Sequence, residues 1–253
     1  MNLTKTTLAF LMTFITMTVS AAPTGRIFVT NERDDTVSVI NGSTLEVEAT
    51  IEIGDRPRGI GISPDGTEVY VAVSEENKIK VVNPETLEII RDFESGSDPE
   101  TFAVHPNGNL YISNEDQALA SAFNPKTGEL IAEVKVGLEP EGVAISPDGK
   151  RVIVTSESTN MLHVIKVPEH TIEHNVLVGS RPRAATFSKD SKIAYATAEI
   201  SGEVIKVDME TGKVLLQAGT GHEKSKPKDV LLSKDESVIY VAGGRSNKIK
   251  VMD

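Results

Sequence analysis

Past residue 24 the chain alternates apolar and polar positions in short runs, and the runs recur. One run reads Val69-Tyr70-Val71-Ala72, Leu110-Tyr111-Ile112-Ser113, Val152-Ile153-Val154-Thr155, Ala194-Tyr195-Ala196-Thr197 and Ile239-Tyr240-Val241-Ala242. Ahead of each copy stands a shorter apolar segment, such as Gly59-Ile60-Gly61-Ile62 or Phe102-Ala103-Val104. Behind each stands a third, such as Ile79-Lys80-Val81-Val82 or Leu162-His163-Val164-Ile165, and in most copies a fourth, such as Ile89 to Phe93. The runs are rich in Val, Ile and Tyr, alternate with period two and end at turn residues, which predicts β-strands. No stretch beyond the leader sustains a helical period.

The turn between the first two runs sets the repeat length. Ser63-Pro64-Asp65-Gly66 recurs as His105-Pro106-Asn107-Gly108, Ser146-Pro147-Asp148-Gly149, Ser188-Lys189-Asp190-Ser191 and Ser233-Lys234-Asp235-Glu236, at intervals of 42, 41, 42 and 45 residues. Proline followed by Asp-Gly suits a tight hairpin, with glycine taking positive φ. The last two copies have lost both proline and glycine, which predicts looser hairpins. Four short strands in about 42 residues is the arithmetic of a propeller blade, with strand A lining the central channel and strand D on the rim. The pattern opens on a B strand at Arg26 and closes on a C strand at Met252, giving 22 strands. Twenty-two is not a multiple of four, so the expectation is an incomplete seven-blade ring, truncated at its C-terminal end, in an all-β chain of antiparallel four-stranded blades.

Residues 1–21 read as a secretory signal peptide and 22–253 as the propeller. Lys5 precedes an apolar stretch from Leu8 to Val19, followed by the small residues Ser20 and Ala21. The stretch is shorter than the ~20 residues that span a bilayer, so no membrane span is expected in the mature chain and its expected location is the periplasm. Without Lys5 the chain keeps 25 basic residues against 37 acidic ones, a poor footprint for nucleic acid. It has no cysteine, which removes disulfides, thiolate metal sites, thiol nucleophiles and covalent c-type haem.

The second strands read Phe28-Val29-Thr30-Asn31-Glu32, Tyr111-Ile112-Ser113-Asn114-Glu115 and Ile153-Val154-Thr155-Ser156-Glu157. With the Ser-Pro-Asp-Gly turns they resemble the YVTN-repeat β-propeller family over the whole mature chain. The runs Arg26 to Thr36 and Thr155 to His163 look like the periplasmic propellers associated with PQQ-dependent alcohol catabolism. That resemblance implies a periplasmic accessory role and no defined activity. PQQ-binding propellers usually stack the quinone on tryptophan, and this chain has none, so no cofactor is expected.

The D–A connections carry a charge on each side of a proline: Arg56-Pro57-Arg58, Asp98-Pro99-Glu100, Glu139-Pro140-Glu141, Arg181-Pro182-Arg183 and Lys226-Pro227-Lys228. The B–C connections add Glu32, Glu115, Glu157 and Glu199, with Ser74 and Gly244 in the other two copies. Both kinds of connection share one face of a propeller, so these fourteen charged residues are expected around the channel mouth. Two readings follow. Proline fixes φ at the entry to strand A and the charges pair between blades, Arg58 with Glu100 or Glu32 and Glu141 with Arg183. Alternatively, the mouth binds a partner's loop or a small polar or anionic ligand, since arginine's planar fork suits carboxylates.

Other candidates are weaker. His170 and His174 have a spacing that suits a metal only on a helix; in a strand it puts them ~13 Å apart, and no metal site is expected. His105, in a hairpin turn, and His163, on a C strand, read as solvated. No Gly-x-Ser-x-Gly context surrounds Ser63 or Ser146. The expected function is a non-enzymatic periplasmic binding or scaffold propeller, an accessory to PQQ-dependent alcohol catabolism. The alternatives are a lactonase-type hydrolase working at the charged mouth and a cell-surface interaction module.

Overall fold

A computed structural model describes residues 24–221 and 225–253, and the expected leader lies outside them. The first blade is β1 (Arg26–Asn31), β2 (Thr36–Asn41) and β3 (Val47–Glu52). The second is β4 (Pro57–Ile62), β5 (Val69–Val73), β6 (Lys78–Val82) and β7 (Ile89–Glu94), and the third is β8 (Pro99–Val104), β9 (Leu110–Asn114), β10 (Leu119–Asn124) and β11 (Glu129–Lys135). The fourth is β12 (Pro140–Ile145), β13 (Arg151–Ser156), β14 (Met161–Lys166) and β15 (Thr171–Leu177). The fifth is β16 (Pro182–Phe187), β17 (Ile193–Ala198), β18 (Glu203–Asp208) and β19 (Val214–Gly219), and the sixth is β20 (Pro227–Leu232), β21 (Ile239–Gly243) and β22 (Lys248–Met252).

These 22 strands form six antiparallel sheets, and the molecule is a six-bladed all-β propeller. The expectation of an incomplete seven-blade ring is corrected by this count. Divisibility by four does not decide the blade number, because the two end sheets hold three strands each. The first and last sheets are three-stranded, β1-β2-β3 and β20-β21-β22, and each holds as a unit of its own. Three strands with an apolar face packed against a neighbour suffice for a stable sheet. The first blade packs Phe28, Val37 and Ile51 against Val69, Val71 and Val73 of the second.

Two irregularities repeat at fixed positions. Each C–D ladder shifts register once, at Val39/Ile40, Val81/Val82, Ala122/Phe123, Val164/Ile165 and Lys206/Val207. A bulge there increases the local twist of the rim strand. Each A–B ladder shifts just after the proline that opens strand A, as between Pro57 and Ile60, because proline has no N–H for the ladder. The last two hairpins keep the bonds of the others: Ser191 N–H donates to Ser188 O at 2.9 Å, as Gly66 N–H does to Ser63 O at 2.9 Å. Ser191 and Glu236 take the positive φ, 62° and 60°, that glycine takes elsewhere. The expected loosening is not observed.

The core lies between blades. Tyr70, Ala72, Ile79 and Val81 of the second blade meet Phe102, Leu110, Ile112 and Phe123 of the third. Every residue of β5 and β9 is buried, because both faces of a B strand are covered. Inner strands approach most closely at glycine: a Cβ on Gly142 would lie 2.1 Å from the Arg183 carbonyl oxygen.

Candidate functional site

The channel mouth is built by the D–A and B–C connections. In all five D–A connections the charged residue before proline is left-handed: Arg56 (φ 59°), Asp98 (47°), Glu139 (53°), Arg181 (60°) and Lys226 (49°). Steric contact with the proline ring favours extended backbone at this position, and a non-glycine residue rarely takes positive φ. Hydrogen bonds hold it there. Its carbonyl accepts the amide of the B–C loop residue: Ser74 (3.1 Å), Glu115 (3.0 Å), Glu157 (2.9 Å), Glu199 (2.8 Å) and Gly244 (2.8 Å) respectively. In three copies its own N–H donates to an Asp or Asn side chain in the preceding blade: Arg56 to Asp35 (2.9 Å), Asp98 to Asn77 (2.8 Å) and Arg181 to Asn160 (3.0 Å). The two sets of mouth charges are therefore clamped to one another through backbone.

The residue after proline is fixed by the hydroxyl of the Val-Thr-Asn run. Thr30 Oγ1 donates to the Arg58 carbonyl (2.9 Å), Ser113 Oγ to that of Glu141 (2.6 Å), Thr155 Oγ1 to that of Arg183 (3.1 Å) and Thr197 Oγ1 to that of Lys228 (3.5 Å). The same Thr155 oxygen accepts the Gly142 N–H at 2.8 Å. The hydroxyl thus ties its own inner strand to the next one.

The side chains then form one connected ion-pair network. Arg56 contacts Glu32 (3.3 Å), Asp98 (3.1 Å) and Glu100 (3.0 Å). Arg58 reaches Glu32 and Glu141, both at 2.9 Å, and also contacts Glu100, which is fully buried. Arg183 contacts Glu141 and Glu157 and lies 4.0 Å from Glu199. Arg181 pairs with Glu157 (2.5 Å) and Lys228 with Glu199 (2.9 Å). Below the network a channel cavity of about 340 Å³ is lined by Gly59, Thr101, Glu141, Gly142, Arg183 and Lys228 among others. Of the expected fourteen, three stand outside the network among the described residues. Glu139 accepts the Ser158 hydroxyl (2.6 Å), and Lys226 and Glu115 have no ion pair.

Burial would raise the Glu32 and Glu199 carboxyls, but the cations beside them prevail. Arg58 and Arg56 hold Glu32, and Lys228, Arg183 and Arg181 hold Glu199, below the usual carboxylate range. Glu115 goes the other way. Burial pushes it up, and Glu141, Asp98 and Glu139 add to the rise against the opposing pull of Arg56. The fourteen residues comprise eight carboxylates and six cations, so the mouth has a carboxylate excess, and it falls in the sector of Asp98, Glu100, Glu115, Glu139 and Glu141. Asp98, Glu100 and Glu115 place oxygens within 4.8 Å of one another, close enough to share a metal ion. The Arg56 guanidinium already bonds two of them and supplies the compensating charge.

Two histidines depart from expectation. His105 and His163 are buried, 7% and 6% exposed. His105 Nε2 bonds the Gly149 carbonyl of the next blade at 2.8 Å. His163 Nε2 accepts the Gly137 N–H (2.8 Å) while Nδ1 donates to Asn175 Oδ1 (2.7 Å), and burial holds its pKa down. Gly137 belongs to a set that sequence reading missed: Gly54, Gly96, Gly137 and Gly179 each stand three residues before the proline. Their fixed distance from that proline was the available signal. A Cβ on Gly137 would lie 1.9 Å from Thr159 Oγ1 and 2.9 Å from His163 Nε2, so the D–A connection can seat against the neighbouring B–C turn only through glycine.

The fold is shared with several solved structures. Hydrazine synthase from Kuenenia stuttgartiensis superposes with a TM-score of 0.82 at 16% identity, covering 95% of this chain and 80% of that one. A streptogramin B lyase gives 0.78 at 16% identity over 93% and 77% of the two chains. The virginiamycin B lyase from Staphylococcus aureus gives 0.76 at 15% identity over 91% and 81%. At such identities the likeness is one of fold alone. No curated protein matches the sequence. A family model for YNCE-like β-propellers matches residues 6–119 and 74–253. The chain belongs to the YNCE-like β-propeller family.

Proposed function

We propose that this chain is a binding propeller that recognises a cationic group, such as a lysine or arginine side chain of a partner protein, at its channel mouth. The observation that carries the reading is Glu115. It is a half-buried carboxylate with a raised pKa and no ion pair among the described residues, set among four further carboxylates. The arginines of the mouth are already committed to carboxylates, so an anionic ligand held by them would have to break existing pairs before making its own. A cation entering beside Glu115 breaks none. Ion pairing in such a recess is stronger than at an open surface because less water screens it.

On this reading the protein works in the periplasm without catalysing a reaction, and the resemblance to propellers of PQQ-dependent alcohol catabolism gives its proposed setting. Calorimetric titration with tetralysine and, separately, with citrate tests it. Tetralysine binding that weakens with added salt and strengthens as pH rises through the raised Glu115 pKa is the expected result. Preferential citrate binding, or turnover of sugar lactones by the pure protein, would contradict it.

A further inference from the structure

The seam between the third and fourth blades departs from the others on the face opposite the mouth. Where the A–B turns of four other blades open on Ser63, Ser146, Ser188 and Ser233, that of the third opens on His105. Where the C–D turns of the first, second, third and fifth blades place Leu45, Leu87, Gly128 and Gly212 at positive φ, that of the fourth places His170, at 50°. Two of the chain's five histidines are thereby brought to one joint. Between them stands Tyr111 of β9, its ring 5.8 Å from that of His105 and 5.9 Å from that of His170.

Each imidazole holds a contact across the seam. His105 Nε2 donates to the Gly149 carbonyl of the fourth blade (2.8 Å), and its Nδ1 accepts the Asn107 N–H (3.1 Å). Both nitrogens are thus used in the neutral ring, and a second proton on Nδ1 would point at that N–H. The hydroxyl of the buried Tyr111 donates to His170 Nε2 at 3.0 Å, its one partner among the described residues. A proton on Nε2 reverses this bond and leaves the hydroxyl proton without an acceptor. The surrounding charges give the protonated rings little support. Asp148 accepts the Ser146 hydroxyl and the Lys150 amide, and Lys150 and Lys166 are cations beside the His170 turn. No described carboxylate forms an ion pair with either histidine. Glu169 alone draws His170 towards the charged form, and burial outweighs it, holding the pKa below the ordinary 6.5. The seam between the second and third blades has none of this: Tyr70, at the position of Tyr111, bonds Glu68 of its own blade at 2.9 Å.

We propose that this seam is the acid-sensitive joint of the ring. Neutral His105 and His170 lock the third blade to the fourth, and protons on them release that end of the seam. The unfolded chain takes up the His170 proton as pH falls through 6.5, the locked seam only at lower pH. The seam is therefore fully stabilised at neutral pH and loses that stabilisation as pH falls through this window.

Hydrogen exchange of the full-length protein, corrected for the intrinsic effect of pH, reads local opening directly. Between about pH 7.5 and about pH 5, amide protection in β9 and in the turns holding Gly149 and His170 is expected to fall at least about threefold. Protection in β5 and in the turn holding Gly108 is expected to hold. Histidine resonances of the same protein, followed by NMR, are expected to place the midpoint of this fall at the titration of His170, a comparison that needs no variant. His105→Ser combined with His170→Gly gives the seam the residues that other blades carry there and is expected to abolish the fall. No fall, an equal fall in both seams, a midpoint away from the His170 titration, or a fall that persists in the double variant would overturn the proposal.

Discussion

Glu115 is the residue whose energetics and proposed role pull in opposite directions. Burial and neighbouring carboxylates raise its pKa, so the fold disfavours its charged form. Its drag on stability is absent below the ordinary carboxylate value of 4.5 and grows as pH rises through the folded value. Glu115→Gln therefore raises the thermal midpoint near neutral pH, and the gain disappears at about pH 4; melting curves at the two pH values check this. Glu32 and Glu199 carry the opposite sign. Their pKa values are depressed, so their stabilisation is complete above the ordinary carboxylate value and is lost as pH falls through the folded ones. A separate residue-scale test concerns the repeat motif itself. The Thr155 hydroxyl is fully buried and joins Gly142 to Arg183. Thr155→Val keeps the shape and leaves both backbone groups without that partner, at a cost of about 1–3 kcal/mol by denaturant unfolding.

Between neighbouring elements, the tightest constraint is the approach of one inner strand to the next. A Cβ on Gly142 would stand 2.1 Å from Arg183 O and 2.9 Å from Ala184 Cα. Both are backbone atoms and can move only with the strand. Gly142→Ala is expected to cost about 1–3 kcal/mol, read as a lower denaturation midpoint, with Gly66→Ala serving to show the effect of positive φ alone. The strands themselves were legible in the sequence because period-two alternation and turn residues mark both of their ends. Exposure was not. In an open sheet, alternation separates a wet face from a dry one, but blades are covered on both sides, and β9 is buried at every position. That is why His163 and His105, read as solvated, lie inside. The charges of the mouth could be read from their repetition beside proline. Which of them lacks a partner could not, because pairing crosses blades and depends on how far each arginine reaches: Arg58 spans to Glu141, one blade beyond its nearest neighbour.

At the scale of the molecule, repetition builds a ring of equivalent connections and divergence gives each sector its own charge. The number of blades was the least legible feature, because strand count leaves open how strands divide among sheets at the two ends. Among the described residues the end blades are three-stranded. The mouth carries one ion-pair network that runs from Glu32 to Lys228, and Glu115 stands outside it. On the proposed reading such a carboxylate lowers stability while serving recognition, a trade seen at functional sites generally. The central claim is that Glu115 marks the entry for a cation, and the most direct measurement is a calorimetric titration of tetralysine into the full-length protein and its Glu115→Gln variant at low salt and neutral pH. The expected result is binding to the first that weakens at least about threefold in the more stable variant. Equal affinity for both proteins, or no binding to either, would contradict the account.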